Sequence, residues 1–137
     1  MALTHLVDTS VLTRLHHPAV RAIIEPLAAG GQAARAGISD LEVCFSARNL
    51  REWNQLAGAL SALSLVEPDA GHFRRARHVQ RLLASRALRG RKIPDLLVAA
   101  TAEEHGLAVL HYDADFDLIA RVTGQPCEWV VPAGTID

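Results

Sequence analysis

Five carboxylates in this chain of 137 residues stand where a predicted strand ends or a predicted helix begins: Asp8, Glu42, Asp95, Asp113 and Asp115. Taken singly, a carboxylate at such a position caps free backbone N–H groups or complements the helix dipole. Taken together, these acids would repel one another strongly if folding gathered them in one place. A hard divalent cation such as Mg²⁺ or Mn²⁺ prefers oxygen ligands and would compensate that charge. The set therefore predicts either separate helix caps or a single metal site.

The elements that must position these acids alternate along the chain between short apolar runs and segments with helical periodicity. Strands are predicted over residues 4–7, 32–38, 107–112 and 127–131. Helices are predicted over residues 9–17, 19–31, 39–60, 69–88, 95–106 and 113–124, with a connector at 64–68 and a loop at 89–94. This alternation predicts an α/β fold, a three-layer α/β/α sandwich with a short, mainly parallel central sheet. The length fits a single domain over residues 1–137.

The predicted topology gives a reason for the acids to meet. In parallel α/β folds, ligands bind beyond the carboxyl ends of the strands. Asp8 follows the first strand and Asp113 follows the strand at 107–112, so both acids reach the same edge if those strands are parallel neighbours. Ser39 and Glu42 have the spacing of a capping box at the start of the long helix. The other acids near helix starts are assigned to capping alone: Asp40, Asp69 and Asp117.

Composition argues against several other classes of protein. Half of the residues are hydrophobic and 21% are charged, as in ordinary globular domains. No apolar run approaches the ~18 residues that span a bilayer, and no basic segment followed by an apolar one marks a secretory signal. Cys44 and Cys127 match no metal-binding spacing, which predicts a cytoplasmic protein with reduced thiols. The seven histidines lack zinc-ligand spacing, so we expect them at surface or half-buried positions.

Four stretches, in this order, resemble the PIN domain and, more closely, the VapC-type toxin ribonucleases of bacterial toxin–antitoxin pairs. They are VDTSVL near the N-terminus, then SDLEVCFSAR, KIPDLLVAATAEEHG and VLHYDADFDLIA. Each motif is short, but four in the right order are fairly specific, and the resemblance covers essentially the whole chain. It implies the PIN-like version of the sandwich predicted above.

The resemblance also implies a role for each acid. Asp8, Asp95 and Asp113 match the metal-binding aspartates. Asp115 stands at a position that is often acidic and would bind a second ion or the water shell of the first. Glu42 matches the acid of the second motif, which binds the ion directly or through water and orients the nucleophile. The implied activity is Mg²⁺-dependent endonucleolytic cleavage of RNA, with Mn²⁺ as a substitute metal.

The reaction implied by the resemblance is hydrolysis by a metal-activated water. The water attacks a phosphodiester in line and leaves a 3′-hydroxyl and a 5′-phosphate, without a covalent enzyme intermediate. Such a toxin inhibits translation and growth. The resemblance further implies a small antitoxin that lays an amphipathic segment in an apolar groove and blocks the site. It also implies a homodimer, with the helices over residues 9–31 as the expected contact surface.

The charge distribution agrees with an RNA substrate. The net charge is −1, but setting the five acids aside leaves ten of the 15 acidic residues against 14 basic ones. Much of the basic excess lies within residues 74–92, where a helix presents either a solvated face or a path for RNA phosphates. The loop that precedes Asp95 is the favoured contact. We expect phosphate contacts from Arg86, Arg89, Arg91 and Lys92.

Two other functions compete with the nuclease. A non-catalytic RNA-binding module on the same fold would use the basic residues without the metal, and the complete acid set argues against it. A phosphotransfer domain with an aspartyl nucleophile also begins with a strand followed by aspartate. That chemistry needs a second acid two residues on, where this chain has Ser10, and a phosphate-gripping lysine, for which Lys92 is the sole candidate.

Overall fold

The computed structural model describes residues 2–89 and 91–137, and in them five short strands alternate with seven helices. The strands are β1 (His5–Val7), β2 (Ala33–Ala36), β3 (Ser64–Val66), β4 (Ala108–His111) and β5 (Cys127–Trp129). The helices are α1 (Thr9–Leu12), α2 (Pro18–Ala29), α3 (Gly37–Cys44), α4 (Leu50–Leu60), α5 (Ala70–Ser85), α6 (Ile93–Glu104) and α7 (Asp115–Thr123).

The strands form one parallel sheet in the order β3-β2-β1-β4-β5. β1 lies at the centre, between β2 and β4. Val7 at the end of β1 is in register with Leu110 near the end of β4. The residues that follow these two strands therefore emerge at one edge of the sheet. The condition set by the sequence, that the strands before Asp8 and Asp113 are parallel neighbours, is met.

Both faces of the sheet are covered by helices, because alternate side chains of the short apolar strands point to opposite faces. On one face, Leu6 and Val109 pack with α5, α6 and α7. On the other face, Val7 and Leu110 pack with α1, α2, α3 and α4. The predicted three-layer α/β/α sandwich with a parallel sheet is thus confirmed. Across residues 2–89 and 91–137, no helix has the length and apolar character needed to cross a membrane.

The helix predicted over residues 9–17 is a single turn followed by a bend. α1 ends at Leu12, and α2 begins at Pro18. Proline has no N–H to continue a helix, and it disfavours helical backbone in the residue before it. His17 is accordingly extended, with φ −79° and ψ 123°. The prediction of one continuous helix is therefore wrong, although its apolar spacing correctly marks side chains that enter the core.

The long helix predicted over residues 39–60 is divided into α3 and α4. Asn49 is extended, and its side-chain oxygen accepts a hydrogen bond from the N–H of Glu52 at 2.9 Å, which caps α4. At the other end, α3 begins two residues before Ser39, so Ser39 lies buried inside the first turn. The capping box predicted from Ser39 and Glu42 is therefore wrong, and both side chains are left to make other contacts.

The segment 64–68, predicted to be a connector, contains the edge strand β3. Leu65 of this strand is in register with Arg35 of β2. A strand of three residues offers too few alternations of polar and apolar side chains to be recognised by its pattern.

The starts of α5 and α6, on the face of the sheet that carries Leu6 and Val109, determine the positions of two acids. Asp69 caps α5 as predicted, because its carboxylate accepts from the N–H groups of Gly71 and His72 at 2.8 and 3.2 Å. α6 starts earlier than predicted, because Pro94 fits the first helical turn, where no N–H is needed. Asp95 therefore lies within that first turn.

Candidate metal centre

Asp8 is buried at the end of β1, with 3% of its surface exposed. Its Oδ2 accepts hydrogen bonds from the backbone N–H of Ser10 at 2.9 Å and from the Ser10 hydroxyl at 2.7 Å. Burial raises the pKa of Asp8, the two bonds from Ser10 act against that rise, and the charge of Glu42 adds to it. Asp8 is thus an oriented carboxylate that is costly to ionise without a compensating charge.

Ser10 connects the ends of β1 and β4. Its hydroxyl donates to Asp8 and also accepts a hydrogen bond from the N–H of Tyr112 at 2.9 Å. Tyr112 follows β4 directly and precedes Asp113. One hydroxyl therefore fixes the carboxylate after the first strand relative to the chain that carries the carboxylate after the fourth.

We expect Ser10→Ala to lower the free energy of unfolding by ~1–2 kcal/mol, because it leaves the Tyr112 N–H without its acceptor. It should also weaken Mn²⁺ binding, because Asp8 loses its hydroxyl donor. Thermal unfolding and calorimetric Mn²⁺ titration would measure the two effects. Ser85→Ala is the matched control, since the exposed Ser85 hydroxyl donates to the Leu82 carbonyl oxygen at 2.7 Å, a bond within its own helix. Equal results for the two variants would contradict the bridging role of Ser10.

Three further carboxylates form a group that we call the acidic cluster: Asp95, Asp113 and Asp115. One oxygen from each of them lies within 4.8 Å of the others. Asp113 follows β4, and its Oδ1 accepts a hydrogen bond from the N–H of Asp115 at 2.9 Å. Asp95 lies on a different element, in the first turn of α6. The carboxyl edge of the sheet and the start of one helix thus assemble the cluster.

Asp95 is the acid most perturbed by its surroundings. It is 8% exposed, and its Oδ2 has no hydrogen-bond partner among the described residues. Burial, followed by the negative charge of Asp8, raises the pKa of Asp95 to about 7. The nearby Lys92 opposes this rise, and the charges of Asp113 and Asp115 add to it. Asp95 therefore senses three other acids of the predicted set.

Lys92 supplies a positive charge to the acidic cluster. Its Nζ lies 2.8 Å from Oδ2 of Asp113, 3.2 Å from Oδ2 of Asp115 and 3.6 Å from Oδ2 of Asp95. Burial is the largest influence on the pKa of Asp113 and acts to raise it, but the hydrogen bonds from Lys92 and from the Asp115 N–H, together with the charge of Lys92, outweigh it, and the net shift is downward. The same bond raises the pKa of Lys92. Lys92 was expected to contact RNA phosphates; that role stays a prediction, and in this structure its ammonium binds carboxylates instead.

Glu42 lies exposed on α3, beside Asp8. Its Oε1 accepts a hydrogen bond from the Thr9 hydroxyl at 2.7 Å. The same hydroxyl oxygen lies 2.9 Å from Oγ of the buried Ser39. Asp40, two residues earlier, is held elsewhere, because Arg35 donates to its carboxylate at 2.7 and 3.3 Å. Between the two acids of this motif, Glu42 is therefore the one that faces Asp8.

The donor set fits a hard divalent cation. Its atoms are carboxylate oxygens, one of them is buried with no hydrogen-bond partner within residues 2–89 and 91–137, and a lysine ammonium already provides positive charge at the cluster. The structure brings together Asp95, Asp113 and Asp115, with Asp8 near Asp95 and Glu42 near Asp8. Their individual roles as metal ligands or catalytic groups stay predictions.

A second group of potential ligands, Asp69, His72 and Glu104, does not fit a metal. Nδ1 of His72 accepts a hydrogen bond from the Asp69 N–H at 2.8 Å, so the proton of the neutral ring is on Nε2, which faces Glu104. A protonated nitrogen cannot bind a metal ion. His72 is 2% exposed and His111 0%, so the expectation of surface or half-buried histidines is wrong for these two.

Three contributors to the site were not recognised from the sequence. Ser39 was assigned to a cap, Lys92 to RNA, and His111 to no role. His111 accepts a hydrogen bond from the Asp113 N–H at 3.2 Å, and burial lowers the pKa of its ring, which favours the neutral acceptor. The contact of Lys92 with Asp95 was predictable, because the two residues are three apart at a helix start and so face the same side. The role of Ser39 depends on its contact with Thr9, which is distant in the sequence. The bond to His111 is local, but apolar periodicity carries no information about this side-chain acceptor.

Comparisons with known proteins agree with one another. The family model of the PIN domain matches residues 5–122. Ribonuclease VapC51 from Mycobacterium tuberculosis is 67% identical to this chain, with 100% of both chains covered. A DNA-bound VapBC from Salmonella typhimurium superposes with a TM-score of 0.80 at 18% identity, over 94% of this chain and 99% of that one. A toxin–antitoxin complex from Klebsiella pneumoniae gives a TM-score of 0.72 at 23% identity, over 93% and 98%.

Proposed function

This chain belongs to the PIN domain family, among its VapC ribonucleases, and from that premise we propose that it is a metal-dependent endoribonuclease, the toxin of a toxin–antitoxin pair. It hydrolyses RNA phosphodiesters in the cytoplasm with Mg²⁺ as cofactor, or Mn²⁺ in its place, and so inhibits translation and growth. The proposed catalytic residues are Asp8, Glu42, Asp95 and Asp113. The proposed metal ligands are Asp8, Asp95, Asp113 and Asp115.

The observation that most supports this proposal is the environment of Asp95. Its buried Oδ2 lacks a hydrogen-bond partner among the described residues and lies among other acids. The Lys92 ammonium lies 3.6 Å from this oxygen, too far for a hydrogen bond, and a buried carboxylate without hydrogen bonds is costly to ionise. A fold retains such a group where a metal ion binds or where the group protonates. A divalent cation on the acidic cluster would satisfy that oxygen and relieve the repulsion between the acids.

In the proposed mechanism, the acidic cluster and Asp8 would hold Mg²⁺. The bound ion would supply Lewis acidity to the phosphodiester and lower the pKa of the attacking water. Glu42 lies at the exposed rim, with its Oε1 fixed by Thr9, so it is placed to orient that water and to accept its proton. Ser10 keeps the Asp8 carboxylate in a single orientation.

Incubation of the purified protein with labelled RNA tests the proposal directly. We expect cleavage in Mg²⁺, no cleavage in EDTA, and recovery when Mg²⁺ is restored in excess. The products should carry 5′-phosphate ends. Binding without cleavage under all conditions would instead support the RNA-binding module, and cleavage that persists in EDTA would contradict the role of the metal.

A groove along α5 offers a path for RNA phosphates. It is lined by Arg77, Gln80, Arg81, Ala84 and Arg91. None of its three arginines is ion-paired with a carboxylate in residues 2–89 and 91–137. Arg91 directly precedes Lys92, which contacts the acidic cluster, so one lining residue of the groove is adjacent in sequence to the site. Arg86 and Arg89 are also exposed, and their contact with RNA remains part of the proposal.

We expect the pair of substitutions Arg81→Ala and Arg91→Ala to weaken RNA binding and to reduce its salt dependence. Each lost phosphate contact to a single strand should lower the slope of log K against log salt by ~0.7. Fluorescence anisotropy in EDTA over a range of salt concentrations measures that slope. The control pair Arg48→Ala and Arg51→Ala removes equal charge from the opposite helical layer. An equal loss of slope in both pairs would count against the groove.

An apolar groove on the same side fits the proposed antitoxin. Its apolar lining comes from α3, β3, α5 and α6: Ile38, Leu41, Leu65, Phe73 and Leu97. Leu41 is 74% exposed and Phe73 is 56% exposed, and exposed apolar side chains that share one groove are typical of a protein–protein interaction site. The exposed Ile93 lies two residues before Asp95, so an amphipathic segment in this region would obstruct the site. Co-purification with the product of a short neighbouring reading frame would test this partner.

For the proposed homodimer, the helices over residues 9–31 stay an expected contact surface, where Ile23 is 42% exposed although Val11, Leu12, Val20 and Ile24 lie in the core. The turn between α3 and α4 offers a second apolar surface, which exposes Phe45 by 90%, Leu50 by 72% and Trp53 by 48%. We propose the contact at this turn, because its apolar side chains are the more exposed. Light scattering of a Phe45→Glu variant, expected to be monomeric, tests that placement.

A further inference from the structure

Lys92 is the one lysine of this chain, and its ammonium lies on the acidic cluster. One oxygen of each acid in the cluster is within 3.6 Å of Nζ, and the nearest, on Asp113, is 2.8 Å away. The lysine ammonium thus occupies the space between the three carboxylates where a divalent ion would bind. Lysine and metal therefore compete for the same oxygens.

We propose that Lys92 is the resident counter-ion of the acidic cluster, which neutralises it in the metal-free protein and must be displaced when a divalent ion binds. The inference rests on the proposed function, because it takes the acidic cluster as the metal site. Lys92 is then a positioning residue, and it sets the metal concentration at which the site loads.

The position of Lys92 allows its ammonium either to lie on the acidic cluster, in the metal-free protein, or to move away from it when a metal ion binds. It is the N-cap residue of α6, with extended backbone at φ −63° and ψ 133°. Lys92 therefore directly precedes the helical turn that carries Asp95. Its side chain is 58% exposed. A long, flexible stem with one end in solvent can move its charged head away from the cluster without opening the core. Displacement by a metal ion therefore requires a side-chain rotation and no change of fold.

The cluster needs a counter-ion when no metal is bound. Asp113 accepts a backbone hydrogen bond from Asp115, but Oδ2 of Asp95 has no such donor among the described residues. Without the ammonium, three carboxylate oxygens within 4.8 Å of one another would face each other uncompensated. Loss of Lys92 should therefore harm the metal-free protein and favour the metal-bound one.

Calorimetric titration with Mn²⁺ of the wild-type protein, Lys92→Met and Arg91→Met tests this inference. We expect Lys92→Met to bind Mn²⁺ about tenfold more tightly than the wild type, because the ion no longer displaces an ammonium. Arg91→Met removes the same charge one residue away, from a side chain that makes no ion pair with a described carboxylate, and should change Kd less than about twofold.

Thermal unfolding of the same variants is a second, independent measurement. Lys92→Met should unfold at a lower temperature without metal and gain more from Mn²⁺ than the wild type.

Two outcomes would overturn the inference while leaving the proposed function intact. In the first, the wild type binds Mn²⁺ and Lys92→Met shows the same Kd. In the second, Lys92→Met binds more weakly, as expected if the lysine helped to assemble the bound site. A wild-type protein that binds no Mn²⁺ would contradict the metal site itself and the inference with it. Lys92→Gln, checked for fold by circular dichroism, should repeat the result of Lys92→Met.

Discussion

Asp95→Asn is expected to lower the rate of Mg²⁺-dependent RNA cleavage by at least ~10³-fold, equivalent to ~4 kcal/mol of transition-state stabilisation. The reason is the central position of this side chain. Asp95 lies among Asp8, Asp113 and Asp115, and its buried Oδ2 has no hydrogen-bond partner in the part of the chain that the structure describes. An amide of the same shape keeps the packing of α6 but offers a weaker, neutral ligand in place of the charged one.

The same substitution should leave the fold intact and stabilise the metal-free protein above pH 7, because a neutral side chain is not repelled by the neighbouring acids. Single-turnover cleavage assays and thermal unfolding measure the two effects. Glu25→Gln is the control, since Glu25 is exposed on α2 and belongs to the opposite helical layer. Cleavage by Asp95→Asn at the wild-type rate would show that Asp95 is not a ligand. A collapse of the fold would show that the carboxylate is structural.

The convergence of Asp8 and Asp113 was predictable because it follows from topology alone. Two short apolar runs, each followed at once by an acid, become parallel neighbours in an α/β sandwich, and parallel strands end at one edge. The register of Val7 with Leu110 realises that expectation. The choice between Asp40 and Glu42 was not predictable in the same way. It depends on Arg35 of β2, which pairs with Asp40, and sequence spacing does not contain that contact.

The errors in the predicted elements have a common cause. Apolar periodicity continues across residues 39–60, so the pattern gives no sign of the break before α4, which depends on the cap formed by Asn49. β3 is too short to show a period, and it exists because the edge of β2 provides hydrogen bonds for it. Local patterns locate the buried faces correctly. They do not show where a side-chain cap or a neighbouring strand outweighs the helical preference.

The pH dependence of the metal-free protein should run opposite to that of an ordinary salt-bridged carboxylate. The pKa of Asp95 is raised to about 7 from a reference value of 3.8. A raised pKa means that the folded state holds the proton more tightly than the unfolded state. The contribution of Asp95 to stability is therefore fully present below pH ~4 and is lost as pH rises through ~7. We expect this loss to be ~2 kcal/mol in EDTA, and to be absent in Asp95→Asn.

The affinity for a metal ion should also depend on pH through the protonation of Asp95. An ion that binds the Asp95 carboxylate must displace its proton, so the Kd for Mn²⁺ should rise by about tenfold per pH unit below pH 7 and level off above it. Calorimetric titration at pH 6 in buffers of different ionisation enthalpy counts the protons released, and we expect close to one per ion. At pH 8 the count should fall toward zero. The pKa of Asp113 is lowered, whereas burial raises the pKa of Asp95 and of Asp8, so the proton should come from these two buried acids, and Asp95→Asn should reduce the release. No proton release from the wild type at pH 6 would show that Asp95 is already ionised or does not take part in binding.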